Sequence, residues 1–199
     1  MKNANLNCLE QQVSATLQEG DILFISIDAF LYKQVARGTG SWCSHVGFVV
    51  KDNNQWMVIE SKVPFVSKTP LRKFLSRTFN GEVMVRRLKQ PISVTEIDQL
   101  KRSADTLSAT LSTTLYHLGF DFNSKRQFCS KFVHLVYKDA LGIELGKAQT
   151  LEQLLEENPQ ASVGFWRCWF LGFIPWKRQT LTPASQINDT QLNTIYSSV

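Results

Sequence analysis

The sequence has few cysteines and no two of them close together. The four thiols are those of Cys8, Cys43, Cys129 and Cys168. This spacing excludes a zinc site of the C-x-x-C type. We therefore expect free thiols, as in a protein of a reducing compartment.

Long runs of one kind of residue are absent as well. Residues 1–17 lack the apolar core of a secretory signal, which predicts a cytoplasmic protein. The 22 basic and 17 acidic residues give a formal net charge of +5, but no basic run exceeds two residues. A charge spread in this way indicates a solvated basic surface and argues against nucleic acid as a partner.

The composition fits one globular domain. With 199 residues, of which 43% are hydrophobic, the chain can bury one sizeable core. We expect a polar N-terminal arm over residues 1–18, the folded domain over residues 19–185, and a loosely held polar tail over residues 186–199.

The first half of this domain has the pattern of β-strands and the second half that of helices, which predicts an α+β fold. A polar link at residues 51–55 between two β-rich runs predicts a hairpin. Thr95 is a predicted cap for an apolar stripe that continues to Leu115, and Gly119 follows as a stop signal. Apolar runs predict strands at residues 22–25, 45–50, 56–61 and 82–88.

Cys129 stands where another apolar helical pattern begins. From Phe132 to Leu141 apolar residues recur at spacings of three and four, and Gly142 then ends the pattern. At a helix N-terminus, unpaired N–H groups and the helix dipole favour the thiolate over the thiol. Cys129 is therefore a candidate nucleophile, and the alternative is a small buried core residue.

A nucleophilic cysteine needs a base within hydrogen-bonding reach and a polar group that orients the base. Of the three histidines, His134 lies roughly 140° further round the predicted Cys129 helix, and His117 is explained by a helix C-terminus. His45 begins a strand directly after a loop rich in glycine and serine, and Glu60 lies at the end of the next strand. If the two strands pair, Glu60 falls close to His45, which predicts either a Cys-His-Glu site or a surface ion pair.

Four segments in this order resemble a known family. They are Gly20-Asp21-Ile22-Leu23-Phe24, Ser44-His45-Val46-Gly47-Phe48-Val49, Val58-Ile59-Glu60-Ser61 and Phe128-Cys129-Ser130-Lys131-Phe132-Val133. The set is similar to the permuted papain-like amidases, the YiiX/YebB-like branch of the NlpC superfamily, and most similar to its YebB-like members. The resemblance spans residues 19–185, and it implies a circularly permuted papain-like (NlpC-type) fold with an antiparallel sheet or half-barrel packed against helices.

By this resemblance Cys129 is the nucleophile, His45 the general base and acid, and Glu60 the group that orients His45. The implied reaction is hydrolysis of an amide bond, in a peptide or a lipid-linked amide, through an acyl-cysteine intermediate and without a metal ion or other cofactor. One departure is Gly119-Phe120-Asp121, which lacks the tyrosine of the family's Gly-x-Tyr-Asp element. Three further residues are candidate substrate contacts, namely Ser44, Gln127 and Asp21.

Two other functions stay open at this point. The aromatic segment at residues 163–176 is too short to span a bilayer, and it is either a core-covering segment or a peripheral contact with a membrane or an acyl chain. In the second case the protein is a lipid-directed acyltransferase or thioesterase of the lecithin:retinol acyltransferase type. A non-enzymatic binding module on the same fold is the third hypothesis, and the sequence leaves the oligomeric state open.

Overall fold

The structure is a computed structural model that describes residues 3–199. Its strands are β1 (Ile22–Ile27), β2 (His45–Asp52), β3 (Gln55–Ser61), β4 (Val66–Pro70), β5 (Thr78–Leu88), β6 (Gln149–Thr150), β7 (Gln179–Thr180) and β8 (Leu192–Ser197). Its helices are α1 (Asn3–Ser14), α2 (Phe30–Gly38), α3 (Leu71–Leu75), α4 (Val94–Ser108), α5 (Leu111–Thr114), α6 (Cys129–Leu141), α7 (Leu151–Glu157), α8 (Val163–Trp169) and α9 (Pro183–Ile187).

A six-stranded antiparallel sheet in the order β4-β3-β2-β1-β5-β8 is the centre of the fold. Side chains of β1 alternate between its two faces, as they must in a strand. Ile22 and Phe24 pack toward α4 and α6, whereas Leu23 and Ile25 pack toward α1 and α3. Because both faces of β1 are covered, the strand is buried throughout. An antiparallel sheet packed against helices confirms the predicted α+β fold.

The predicted hairpin forms from β2 and β3. Its turn is shorter than the predicted five residues, because only Asn53 and Asn54 lie between the strands, both with positive φ. Continuing the register from the pair Phe48 and Ile59 brings Gly47 opposite Glu60. A Cβ atom at Gly47 would lie 2.6 Å from a methyl group of Val58 and 3.2 Å from the Cβ of Glu60. Glycine at this position therefore leaves room for the side chain of Glu60.

The helix of Cys129 begins and ends as predicted. Helix α6 starts at Cys129, and Gly142 after its last turn has a left-handed φ of 69°. Phe132 and Tyr137 of α6 pack against Phe48 of β2. The first turn of α6 is thereby fixed relative to the strand that carries His45.

The long helix after residue 93 differs from the prediction in two ways. Its cap is Ser93, which forms a capping box with Glu96, rather than Thr95. Helix α4 ends at Ser108 and does not reach Leu115. Leu107 therefore lies in α4 and Leu111 in α5, Leu115 lies just beyond α5, and the backbone leaves the helical conformation at Thr110 between the two helices.

The C-terminal residues are not the loosely held tail that the sequence predicts. Residues 183–187 form α9, and residues 192–197 form the strand β8, which pairs with β5 at the edge of the main sheet. The guanidinium group of Arg86 donates hydrogen bonds to the backbone carbonyl groups of Ile187, Asp189 and Leu192. Asn193, Thr194 and Ser197 are the polar residues of β8, and they are the three of its six side chains that are exposed at the sheet edge.

The N-terminal residues are also more than a polar arm. Leu6, Leu9 and Val13 of α1 are buried in the core on the second face of the sheet. Within residues 3–199 no helix has both the length and the apolar character needed to cross a bilayer.

Candidate active site

His45 and Glu60 form a buried pair at the end of the β2–β3 hairpin. The Nε2 atom of His45 lies 2.5 Å from Oε2 of Glu60, and both side chains are fully buried. They lie on the same face because His45 is two residues from Gly47, which is opposite Glu60. The surface ion pair that the sequence left open is therefore excluded.

Glu60 has a second partner that the sequence did not indicate. The Nη2 atom of Arg77 donates to Oε1 at 2.8 Å and to Oε2 at 2.7 Å, and Nζ of Lys62 lies 3.5 Å from Oε1. Burial alone would raise the pKa of Glu60, but His45 and Arg77 outweigh it and lower the pKa to about 2. The carboxylate thus stays ionised and can hold one ring nitrogen of His45 in place.

The second ring nitrogen of His45 is available to Cys129. Nδ1 is buried and has no hydrogen bond at the usual distance to any of the residues 3–199. Burial lowers the pKa of His45, but the thiol of Cys129 and the carboxylate of Glu60 outweigh this effect and raise it. The imidazole ring is therefore placed between an anion that orients it and a thiol that can give it a proton.

The thiol of Cys129 has the environment of a reactive cysteine. Burial raises its pKa, but the neighbouring imidazole of His45, together with the Tyr116 hydroxyl and the Ser130 N–H, lowers it below the usual value. No side chain caps the N-terminus of α6, so the first N–H groups of the helix face the thiol region without a competing acceptor. The arrangement favours a thiolate and imidazolium pair.

Tyr116 is a neighbour of Cys129 that sequence reasoning missed. Its hydroxyl group lies 3.9 Å from the sulfur atom as a donor. Burial and the negative charge of Cys129 raise the pKa of Tyr116 well above the usual value, so the hydroxyl keeps its proton. The backbone of residue 116 is held by a bridge to Gln127, with its ring against Phe120. A hydroxyl group therefore reaches the site from residue 116, whereas Gly119-Phe120-Asp121 offers none.

We expect Tyr116→Phe to weaken the thiolate of Cys129 without unfolding the protein. A hydrogen bond to a charged group is worth about 1.5–3 kcal/mol, and this one is long, so the midpoint of iodoacetamide alkylation should rise by up to about one pH unit. The control is Tyr137→Phe, since Tyr137 lies on α6 but donates to the carbonyl of Gly20. An unchanged midpoint in Tyr116→Phe would exclude a role for this hydroxyl.

The three predicted substrate contacts occupy different places. Ser44 lines a cavity beside Cys129, and its hydroxyl oxygen accepts from the N–H of Ile27. The side chain of Gln127 is buried and bonds weakly to the carbonyl of Lys125, while its backbone positions the segment of Tyr116. The structure brings Ser44, but not the Gln127 side chain, to the cavity.

The structure also places Asp21 away from the cavity. Its carboxylate accepts from Nε and Nη2 of Arg87 and from the N–H of Gln18. Ile25 of β1 is the pairing partner of His45, and Asp21 precedes Ile25 by four residues. In an extended chain four residues span about 13 Å, so Asp21 lies about that far along the strand from the pair of Ile25 and His45. Asp21 therefore fixes the turn before β1, and the prediction that it contacts the substrate is wrong.

The cavity beside Cys129 lies between α2, α7 and α8. The space inside it is about 50 Å³, so the cavity is narrow. Its walls are almost entirely apolar, and they include Phe120, Leu151, Leu154, Trp166 and Phe170. Cys129 is therefore reached from one side through an apolar space.

Known proteins resemble this chain over nearly its whole length. A family model described as permuted papain-like amidase enzyme, YaeF/YiiX, C92 family, matches residues 16–196. The protein YiiX of Escherichia coli strain K12, described as uncharacterized, is 29% identical over 178 residues, which cover 89% of this chain and 85% of YiiX. A crystal structure of YiiX from Escherichia coli O157:H7 has a TM-score of 0.82 and 28% identity, and the match covers 92% of this chain and 98% of that one. The greater similarity to YebB-like members stays a prediction.

The crystal structure of YiiX is described as that of a metalloprotein. In this chain, no group of three or more His, Cys, Asp or Glu side chains within the described part is arranged to hold a metal ion. His45 and Glu60 bond directly to each other. The residues present therefore do not fit a metal centre at this site.

Proposed function

Because the chain belongs to the permuted papain-like amidases of the YaeF/YiiX type, we propose that it is a cysteine hydrolase that cleaves an amide bond through an acyl-cysteine intermediate. The observation that carries the proposal is the pair of partners on His45. Glu60 occupies Nε2 at 2.5 Å, which leaves Nδ1 for the proton of Cys129. Burying such polar groups costs free energy, and buried groups with shifted pKa values concentrate at functional sites.

In the first half of the proposed reaction the thiolate of Cys129 adds to the carbonyl carbon of the amide. The oxygen atom takes up negative charge, which the N–H of Cys129 and the hydroxyl of Tyr116 stabilise. His45 then gives its proton to the leaving amine, the C–N bond breaks, and a thioester on Cys129 remains. Glu60 and Arg77 are positioning residues, since they act through His45.

In the second half a water molecule attacks the thioester. His45, now neutral, takes a proton from the water, the C–S bond breaks, and the carboxylic acid leaves with the thiol restored. If an alcohol or amine takes the place of water, the same site transfers the acyl group. The choice between hydrolysis and transfer depends on the acceptor and not on the three central residues.

The proposal is tested by intact-mass measurement after incubation with a panel of peptides, lipid amides and thioesters. We expect the wild-type protein to gain the mass of an acyl group and the variant Cys129→Ala to gain none. Cys168→Ala is the matched control, because Cys168 is an exposed free thiol, and it should acquire the adduct like the wild type. An adduct that persists in Cys129→Ala would contradict the proposal.

The non-enzymatic alternative is less well supported. A binding module has no need of a cysteine whose pKa is lowered by a buried histidine. The cytoplasmic location stays a prediction from the sequence.

A further inference from the structure

Resting on the acyl-cysteine chemistry proposed above, we infer that Tyr32 is a further catalytic residue, whose hydroxyl group donates a hydrogen bond to the carbonyl oxygen of the substrate as that oxygen becomes negative. Tyr32 lies on α2, and it lines the same cavity as Cys129 and Tyr116. A carbonyl group bound at the thiol therefore has two tyrosine side chains as neighbours, one from each of two distant segments of the chain.

The ring of Tyr32 packs directly against the catalytic histidine. It meets the ring of His45 edge to face, with the ring centroids 5.8 Å apart and an angle of 86° between the ring planes. Burial raises the pKa of Tyr32, and the negative charge of Cys129 adds to this effect. The hydroxyl group therefore keeps its proton when the thiol ionises, and it stays available as a hydrogen-bond donor.

The hydroxyl group of Tyr32 is unpaired in the resting protein. Within residues 3–199 no side chain or backbone group forms a hydrogen bond with it. It is also not one of the unpaired polar atoms that the interior of the described chain encloses. The hydroxyl is therefore open to a ligand, and a carbonyl oxygen that enters the cavity is an acceptor for it.

Tyr116 differs from Tyr32 in this respect. The hydroxyl of Tyr116 already has the sulfur atom of Cys129 as an acceptor at 3.9 Å, so it acts on the thiolate before the reaction begins. Only interactions that are stronger in the transition state than in the resting enzyme accelerate the chemical step. The hydroxyl of Tyr32 gives up no bond within the protein, and its bond to the substrate strengthens as the oxygen becomes an anion.

The proposed role of Tyr32 leaves the balance of the reaction unchanged. As the bond forms between the sulfur of Cys129 and the carbonyl carbon, an electron pair of the C=O bond moves onto the oxygen, which accepts the hydrogen bond but not the proton. When the tetrahedral intermediate collapses, the pair returns and the leaving group departs. Tyr32 is released unchanged and can act again on the thioester in the second half of the reaction.

Two reagents that attack the same thiol separate this role from an effect on the thiolate. p-Nitrophenyl acetate acylates the sulfur through an oxyanion and releases p-nitrophenolate, whose absorbance gives the rate, without needing a proton for the leaving group. Iodoacetamide alkylates the sulfur by displacement at a methylene carbon, where no oxyanion forms. Removal of one oxyanion donor typically lowers the rate about 10²–10³-fold. We expect Tyr32→Phe to be acylated at least about ten-fold more slowly than the wild type and to be alkylated within about two-fold of it.

Two other tyrosine variants complete the comparison. Tyr196→Phe is the matched control, because this hydroxyl group lies on β8 and bonds to the side chain of Gln12, and it should react with both reagents like the wild type. Tyr116→Phe should react more slowly at pH 6 with both reagents, since it loses the donor to the sulfur of Cys129. The rapid alkylation of Cys129 also shows that the site is folded in each variant.

The outcomes distinguish the role of Tyr32 from the acyl-cysteine proposal. An acylation rate of Tyr32→Phe within about two-fold of the wild type would overturn the inference and leave the acyl-cysteine proposal standing. An equal fall with both reagents would also overturn it, because Tyr32 would then act through the thiolate or through packing. A wild-type protein that gains no acetyl group on Cys129 would contradict both.

Discussion

Iodoacetamide is expected to alkylate Cys129 at pH 6 at least roughly ten-fold faster than Cys8 or Cys168. An ordinary thiol with a pKa of about 8.5 is less than ~1% ionised at this pH. The pKa of Cys129 is lowered by His45, so a much larger fraction is thiolate. Burial and the lower nucleophilicity of a less basic thiolate reduce the advantage but do not remove it.

The remaining cysteines make this experiment internally controlled. Cys8 and Cys168 are exposed, so they report the rate of an ordinary accessible thiol. Cys43 is fully buried, and burial raises its pKa, so it should not react in the folded protein. Peptide mapping by mass spectrometry after short exposure gives all four rates in one sample. Equal rates for Cys129 and the two exposed thiols at pH 6 would refute an activated thiol.

The same experiment isolates the role of His45. The variant His45→Gln keeps a hydrogen-bond donor for Glu60 but removes the imidazolium charge, so alkylation of Cys129 at pH 6 should fall to the rate of an ordinary thiol or below. His134→Gln is the matched control, because His134 lies on α6 with Cys129 but its Nδ1 atom bonds to the carbonyl of Leu145. A variant His45→Gln that reacts like the wild type would remove His45 from the site.

The parts of the site that could be predicted from the sequence are those set by local pattern. Cys129 marks the start of an amphipathic helix, and the hairpin turn at Asn53 and Asn54 has residue types that favour positive φ. Once the hairpin is accepted, alternation along its strands brings His45 and Glu60 to one face. His45 and Glu60 thus follow from short-range rules applied to neighbouring strands, whereas the approach of Cys129 to His45 is what the family resemblance implies.

The parts that could not be predicted depend on contacts between distant segments. Arg77 lies just before β5, and nothing in its neighbourhood shows that it reaches Glu60. Tyr116 reaches Cys129 only because its segment pairs with residue 127. Strand β8 is polar and is recognised as a strand only through its pairing with β5. The cavity forms where α2, α7 and α8 meet, and no single segment encodes it.

Replacing Glu60 with glutamine is expected to lower the free energy of unfolding by about 3 kcal/mol at pH 7. The carboxylate is fully buried and bonded to both His45 and Arg77, and removal of one member of a buried ion pair typically costs about 3–5 kcal/mol. The lower end applies because about a quarter of the Arg77 side chain remains exposed. Urea unfolding measures the change. Glu144→Gln, which removes an exposed ion pair with Lys138, should leave the stability unchanged.

The pH dependence of this loss separates an ionic role of Glu60 from a packing role. The pKa of Glu60 is lowered to about 2 in the folded protein, against an ordinary value of about 4.3 in the unfolded chain. The stability that its charge contributes is therefore complete above about pH 5 and is lost as the pH falls toward 2. Wild type and Glu60→Gln should differ fully at pH 7 and much less at pH 3. Since Glu60 also raises the pKa of His45, alkylation of Cys129 in the variant should require a higher pH. A stability difference that is the same at both pH values would mean that Glu60 acts through packing, and not through the charge that orients His45.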